Sequence, residues 1–446
     1  MSGTFSSLNG ALSALRYNQV AMDVASNNVS NAGTPGYARR QVVGQTLGAP
    51  ATPAIWSRWN GAQGGVEPGP VTRMVDPLLD ARSRTEHAAS AYLGARAISL
   101  GRFENALGEP GDNGVAAALA AFQQGWHDVA NNPGDEAART QLLARANTLA
   151  ATLNTQSRAV DTESADQQTR LAALGNEVNQ TAGELAALNA GLRSANLAGT
   201  DAGTLLDRRD QLALRLSDLV GAKVTINADT TVDVSLGGQP LVQGKITSPL
   251  TVSGATLTLG GSALTLTGGE MGGIQQVLVT DLPAYKAGLD AVAKTLVETV
   301  NAQHELGKDL DGNPGAAVFD PAGTTAASIK VTLTGPRGIA AAATTAGTLD
   351  NTNADKLATT EIGGSDYRKL ITGFGVTVAA SRQVAANQNV LTAQVDAARE
   401  SVSGVNVDEE MVNLLTAQRG YEAASRVLTT LDSVLDTLIN RTGLVR

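Results

Sequence analysis

The chain has no cysteine, so disulfides, thiolate nucleophiles and thiolate metal sites are excluded. That absence suits a protein working in an oxidising space, although chance explains it nearly as well. Aromatic residues fill only 3% of the 446 positions. Thick globular cores lean on aromatics, so thin two-layer packing or helical seams are expected instead. Charged residues are also sparse, at 17%, and the 33 basic ones are scattered within a net charge of -9. Such a distribution offers no stripe for nucleic acid or for an anionic membrane. No apolar run approaches the ~18 residues of a membrane span. The first residues, Met1-Ser2-Gly3-Thr4-Phe5-Ser6-Ser7, have neither the basic nor the apolar region of a secretory signal.

Catalytic signals are missing as well. His87, His127 and His304 lie in separate segments without metal-ligand spacing, and no nucleophile elbow or other local catalytic signature is present. The expectation is a chain that is not an enzyme and has no cofactor and no metal. Three segments imitate sites. Asp207-Arg208-Arg209-Asp210 has catalytic residue types, but reads better as a paired charge cluster on a helix surface. Gly268-Gly269-Glu270-Met271-Gly272-Gly273 is glycine-rich without the spacing or the lysine of a phosphate loop, and reads as a strand-to-helix connection. Asp309, Asp311 and Asn313, with Asp320 beyond them, imitate a calcium loop, but Pro314 stands where that turn needs glycine. A structural turn is expected there.

What the chain does have is helical periodicity, strongest at its two ends. From Val407 onward Met411, Leu414, Gln418, Tyr421, Ser425 and Leu428 follow at spacings of four and three, Ala424 also falls on the stripe, and Leu431, Leu435 and Leu438 extend it. Either Asn406 or Asp408 can cap this helix, followed by acidic residues that complement its dipole. Such a helix loses ~1 kcal/mol or more of backbone entropy per residue, while each fully buried stripe residue returns only ~1.5–3 kcal/mol. It needs a partner. Leu8, Leu12, Leu15, Gln19, Met22, Ser26 and Val29 form a second narrow seam with the same spacing and with Gln and Ser in the same slots. It ends at Asn31-Ala32-Gly33-Thr34-Pro35. The two ends look built to pair, although packing on separate domains satisfies the same periodicity.

Between the ends, residues 37 to 77 read as extended or loop structure carrying Trp56 and Trp59, which are best placed under a loop. Helices follow over Pro77–Leu107 and Gly114–Val129. From Leu143 to Ala195 a seven-residue repeat predicts a rod of about 80 Å at ~1.5 Å rise per residue. Its polar middle, Ser157 to Gln167, is either part of that rod, a kink or a solvated crossover. A helix from Leu205 to Val220, short antiparallel strands over Lys223–Thr267, and a helix over Ile274–His304 broken near Pro283 come next. Residues 315 to 362 are Ala/Thr/Gly-rich with strand-like Ile329, Val331 and Leu333, and a long helix spans Ser365–Val402. The fold class expected is mainly α with a smaller β part.

Two motifs carry a resemblance. Ser26-Asn27-Asn28-Val29-Ser30-Asn31-Ala32-Gly33-Thr34-Pro35-Gly36-Tyr37 resembles the N-terminal signature of the bacterial flagellar axial family, and Ser403-Gly404-Val405-Asn406-Val407-Asp408-Glu409-Glu410 its C-terminal one. Leu205-Leu206-Asp207-Arg208-Arg209-Asp210-Gln211-Leu212 is similar to a segment of the hook-filament junction members. The resemblance covers residues 1 to about 40 and roughly 200–225, 270–320 and 385–440. It implies a discontinuous multidomain structural adaptor, exported without a cleaved signal to the outside of the cell and joining hook to filament. Residues 1–36 and 404–446 would form a coiled-coil inner tube, 37–305 and 365–403 a helical rod domain with a β segment at about 222–268, and 306–364 a small outer insert. Implied partners are further copies of the chain in a ring or helical layer, hook protein below, the next hook-associated protein above, and an export chaperone at the C-terminal helix. Assembly would run through Leu8, Leu12, Leu15, Met22, Val29, Val407, Met411, Leu414, Tyr421, Leu428, Leu431, Leu435 and Leu438. A hook or rod protein, or a secreted β-rich adhesin, is the alternative; a cell-wall hydrolase is a further one.

Overall fold

The computed structural model describes residues 2–47 and 64–437. Trp56, Trp59 and Leu438 therefore lie outside the described residues. Helix α1, Ser2–Ser30, leads through a turn into a β-hairpin of strands β1, Arg40–Thr46, and β2, Val66–Arg73. Helix α2, Pro77–Leu107, starts where Asp76 accepts from the Leu78 and Leu79 amides and Pro77 supplies a preset φ. Helix α3, Val115–Asn131, precedes the longest element, α4, Glu136–Ala198.

Helix α4 is continuous for 63 residues, about 95 Å at ~1.5 Å per residue. Asp135 caps its start, and Gly199 ends it in the left-handed conformation, at φ 64°. The polar middle is neither a kink nor solvated. Gln156, Ser157, Glu163 and Gln167 are buried, and they are only partly satisfied: among the described residues Gln156 Oε1, the Ser157 hydroxyl and Gln167 Oε1 have no hydrogen-bond partner. The Gln156 Nε2 donates to the Tyr367 hydroxyl at 2.8 Å, and the Gln167 Nε2 donates to Glu163 Oε1 at 2.6 Å. Each bond offsets part of the cost of burying a polar group, and the unpartnered atoms leave the rest as a local cost.

This polar belt separates two hydrophobic cores along the same helix. The first takes Leu142, Leu149, Leu153 and Val160 of α4 with Phe103 of α2, Phe122 and Trp126 of α3, and Phe319. The scarce aromatics concentrate there, meeting edge to face, as in Phe103 with Tyr285 at 5.0 Å and Phe122 with Phe319 at 5.7 Å. The second core is aliphatic, with Leu171, Val178 and Leu185 of α4 against helix α5, Gly203–Val220, and two small sheets. One sheet orders β3, Lys223–Ile226, β4, Val232–Leu236, β5, Gln239–Gln243, and β6, Ile246–Thr247; the other orders β7, Leu250–Ser253, β8, Thr256–Leu259, and β9, Ser262–Leu264. All pairings are antiparallel. Few aromatics thus produce two slim cores end to end in place of one thick one.

The glycine-rich segment after β9 is the first part of helix α6, Gly269–Gln276. A Cβ at Gly273 would come within 2.3 Å of the Tyr92 carbonyl oxygen, so glycine there permits α6 to lie against α2. The α-helix is interrupted next to Pro283, as expected, between α6 and a following helix. A π-helical turn over Val277–Asp281 absorbs the mismatch and hands over to α7, Leu282–His304, with Pro283 at its start, where no amide donor is needed. Residues 307–343 hold the short strands β10, Gly307–Lys308, and β11, Ala342–Ala343, and a 3₁₀ turn at Pro336–Gly338. Ile329, Val331 and Leu333 do not form the strand their spacing suggests; an isolated Phe319–Val331 bridge is their sole β pairing among the described residues. Their burial depends on irregular backbone wrapped over α4, where the Asn154 side chain donates to the carbonyls of Ala326 and Ile329. Helix α8, Thr352–Thr359, then α9, Gly364–Ser403, return the chain along α2 to helix α10, Val407–Asp436.

Candidate functional site

The first and last helices pack on each other antiparallel. Asn28 meets Glu410, and a Cβ at Gly420 would come within 2.5 Å of Asn18 Oδ1. The seam is narrow because its buried residues are small: Ala11 and Ala25 on α1, Ala417 and Ala424 on α10. Its phase differs from the expected one by a residue in every second slot. Ala11, Asn18 and Ala25 line α1 where the repeat has Leu12, Gln19 and Ser26; on α10 Glu410 and Ala417 stand in place of Met411 and Gln418, while Ala424, on the expected stripe, is buried in the seam. Large apolar residues dominate a periodicity reading, whereas close helix approach selects small ones.

The two signature segments interlock at the end of this pair nearest the hairpin. Asn28 is fully buried, and each hydrogen-bonding group of its amide is engaged. Its Nδ2 donates to the Arg40 carbonyl at 2.8 Å and to Glu410 Oε2 at 2.9 Å. Its Oδ1 accepts from the Tyr37 hydroxyl at 2.8 Å and from the Arg40 amide at 3.0 Å. Burial raises the Tyr37 phenol above its ordinary value, the direction that favours the protonated, donating form. Arg39 closes the ring, donating from Nε to Glu410 Oε1 at 2.8 Å, and its amide donates to the Ser403 carbonyl at 2.8 Å. Glu410, only 3% exposed, is thus held by residues on both sides of the α1 turn. Asn406 is the N-cap of α10, accepting from the Asp408 and Glu409 amides.

A second charge cluster ties the hairpin to α5, and here the expected surface cluster is corrected. Asp207, Arg209 and Asp210 are buried; Arg208 alone projects, pairing with Glu184 at 2.9 Å. Arg73 bridges Asp207 and Asp210, each at 2.8 Å. Arg40 reaches Asp207 at 3.3 Å, and Arg209 holds the other oxygen of Asp210 at 2.6 Å. Helical spacing alone gives no sign of this, because Arg40 and Arg73 come from a hairpin distant in sequence. Among the described residues no group of three or more His, Cys, Asp or Glu could hold a metal ion. Asp309 folds on itself, accepting from the amides of Asp311 and Asn313 at 2.9 and 2.8 Å, as an Asx turn does.

His87 lacks carboxylate neighbours in sequence but gains two in the fold, Asp218 of α5 at 3.2 Å and Asp396 of α9 at 2.9 Å. The hydrogen bond to Asp218, then that to Asp396, push it up to about 8 against the opposing effect of burial. A folded-state value above the unfolded 6.5 means that this tie is fully present below about 6.5 and is lost as pH rises through about 8. Replacing His87 with Gln should therefore lower stability by about 1–2 kcal/mol at mildly acidic pH. The gap between the two proteins should close above pH 8, as chemical denaturation at several pH values would show. His304 behaves oppositely: burial holds it down to about 4, so its contribution is full above about 6.5 and falls away toward 4.

The residues expected to mediate assembly divide into two groups. Leu8, Leu15, Met22 and Val29 of α1, and Leu414, Leu428, Leu431 and Leu435 of α10, are half-buried along the flanks of the intramolecular seam. Leu12, Val407, Met411 and Tyr421 are exposed, and Leu438 lies outside the described residues. The structure adds exposed Val412, Leu415, Val427 and Val434, at 64, 51, 48 and 43%. No helix among the described residues is long and apolar enough to cross a membrane.

Residues 100–319 match the family model described as the flagellar hook-associated protein FlgK helical domain. Residues 397–441 match that of the flagellar basal body rod FlgEFG protein C-terminal region, and residues 8–37 that of the flagella basal body rod protein. The chain is 28% identical to flagellar hook-associated protein 1 of Bacillus subtilis, over 99% of both chains. It is 24% identical to the protein of the same name in Escherichia coli, over 97% of this chain and 99% of that one. The solved structure of the flagellar hook junction protein FlgK from Burkholderia pseudomallei shares the fold, with a TM-score of 0.64 at 18% identity, covering 74% of this chain and 100% of that one.

Proposed function

We infer, from a chain that belongs to the flagellar hook-associated protein 1 family, that it is a structural subunit of the flagellum which joins hook to filament. The observation that carries this reading is the meeting of the two family-matching ends. Residues 8–37 and 397–441 lie at opposite ends of the sequence, yet their signatures share the buried Asn28–Glu410 hydrogen bond. A hook or rod protein is disfavoured by the match of residues 100–319 to the hook-associated helical domain. An adhesin leaves the paired ends without a role.

In this reading α1 and α10 form the inner layer of a tube and α2 to α9 a rod outside it, with residues 306–364 covering one end of the rod. Copies assemble through the exposed faces of the terminal helices. The seam between α1 and α10 buries mainly alanines, so a subunit keeps apolar surface for its neighbours. Hook protein below, the next hook-associated protein above, and an export chaperone at α10 complete the set of partners. In this reading the role of the chain is structural, not catalytic.

A deletion strain tests the reading. Loss of filaments with hooks intact, and unpolymerised flagellin in the medium, is the expected outcome. Loss of the hook itself would move the chain to the hook or rod branch.

A further inference from the structure

The terminal helix pair leaves one stripe on each helix facing away from the seam. On α1 it consists of Leu12, Arg16, Gln19 and Asp23; on α10 of Met411, Leu415, Gln418, Glu422 and Arg426; all are exposed. Spacings of three and four keep each set on one face. Most other arginines of the chain engage carboxylates, as Arg96 does with Asp281 and Arg399 with Asp80. Arg16, Asp23, Glu422 and Arg426 make no ion pair among the described residues. Two charged and apolar stripes thus stand without partners inside the molecule.

Their register is set by the pairing within one chain. Moving along α1 from Asn28 back to Asn18 corresponds to moving along α10 from Glu410 forward to Gly420. On that scale Arg16 is level with Glu422, Gln19 lies within a residue of Gln418, and Leu12 is level with the Arg426 stem. We propose that the α1 stripe of one copy docks on the α10 stripe of the next at equal height, with Arg16 against Glu422 and Gln19 against Gln418. Three of the competing registers are repulsive. A slip of one heptad sets Asp23 against Glu422 in one direction and against Asp408 in the other. A slip of one turn sets Arg16 against Arg426 in one direction, and in the other against Gln418, where the ion pair is lost. Like-charge juxtaposition suppresses wrong pairings, so charge selects this register as well as this partner. The contact joins two different faces and is therefore heterologous, repeating from copy to copy until it closes into a ring or continues as a helix. The two glutamines that occupy matching slots in sequence face each other across copies, not within one.

This proposal rests on the assembly reading above, and the experiment separates the two. Because the chain lacks cysteine, Gln19→Cys in one copy and Gln418→Cys in another can be co-expressed in a strain deleted for the native gene. Disulfide-linked dimers are expected in isolated flagella. Filaments restored by these variants without such dimers would overturn the docking and leave the assembly reading intact. Failure of the unsubstituted chain to restore filaments would overturn the assembly reading itself. Arg16→Glu alone and Glu422→Arg alone should each lose filaments, and the two co-expressed should regain them, because each supplies the charge the other lacks. A pair formed within one chain could not be rescued that way. Assembly of either single variant at the unsubstituted level would overturn the register.

Discussion

Replacing Glu410 by alanine is expected to detach the terminal helices from the rod while both hydrophobic cores stay folded. The carboxylate accepts from Asn28 through one oxygen and from Arg39 through the other, so its removal leaves two donors short of a partner in a largely buried place. Breaking such a pair costs about 2–3 kcal/mol, below the ~3–5 kcal/mol of a fully dry pair, because the Arg39 side chain retains 26% exposure and a contact to Glu409. The loss is local. The two cores lie in the rod, along α4, and none of their buried side chains belongs to α1 or α10. Amide exchange should accelerate over residues 26–40 and 403–414 with little change at Leu149 or Leu185, and strains carrying the variant should lose filaments. Glu410→Gln keeps an acceptor for Asn28 and should cost about 1 kcal/mol, the typical net value of a hydrogen bond. Equal acceleration in the cores would mean that this junction is not a separate unit of stability.

The Asn28–Glu410 junction shows what could and could not be read from the residues. Both segments are conspicuous in sequence, and their local roles follow from local rules, since Asn406 caps α10 and the α1 helix stops before its Gly/Pro turn. Helices α2, α3, α4, α9 and α10 lie close to their expected spans for the same reason: capping residues, glycines and apolar spacing act within a few residues of where they stand. The partnership between Asn28 and Glu410 spans nearly the whole chain, and no local pattern encodes it. One sign was available. In the α10 phase that places alanines at 417 and 424, Glu410 falls on the seam, and an acidic residue in a helix seam calls for a buried donor. The irregular segment over residues 315–343 departs from its pattern for the opposite reason: alternating Ile329, Val331 and Leu333 satisfy a strand pattern, but the Ile329 carbonyl is taken by the Asn154 side chain of α4 and Val331 makes only an isolated bridge.

The largest single loss of stability is expected at Asp210, inside a run of four charged residues that looks uniform in sequence. Asp210 accepts from Arg73 at one oxygen and from Arg209 at the other, and both arginine side chains are less than a tenth exposed. Asp210→Ala leaves two buried guanidinium groups competing for Asp207 and the Thr230 carbonyl, a loss of about 3–5 kcal/mol. Arg208→Ala, two residues away, removes a pair to Glu184 in which both side chains are over 40% exposed, and should cost less than ~1 kcal/mol. Denaturant midpoints of the two variants should therefore fall far apart. The difference has a functional consequence, because Arg73 and Arg40 belong to the hairpin that also carries the Tyr37 and Arg39 contacts to Asn28 and Glu410. Weakening Asp210 loosens that hairpin from α5 and should lower filament number even though no assembly-face residue has changed. If Asp210→Ala and Arg208→Ala shift the midpoint equally, the cluster is a solvated surface after all and the hairpin is held by other means.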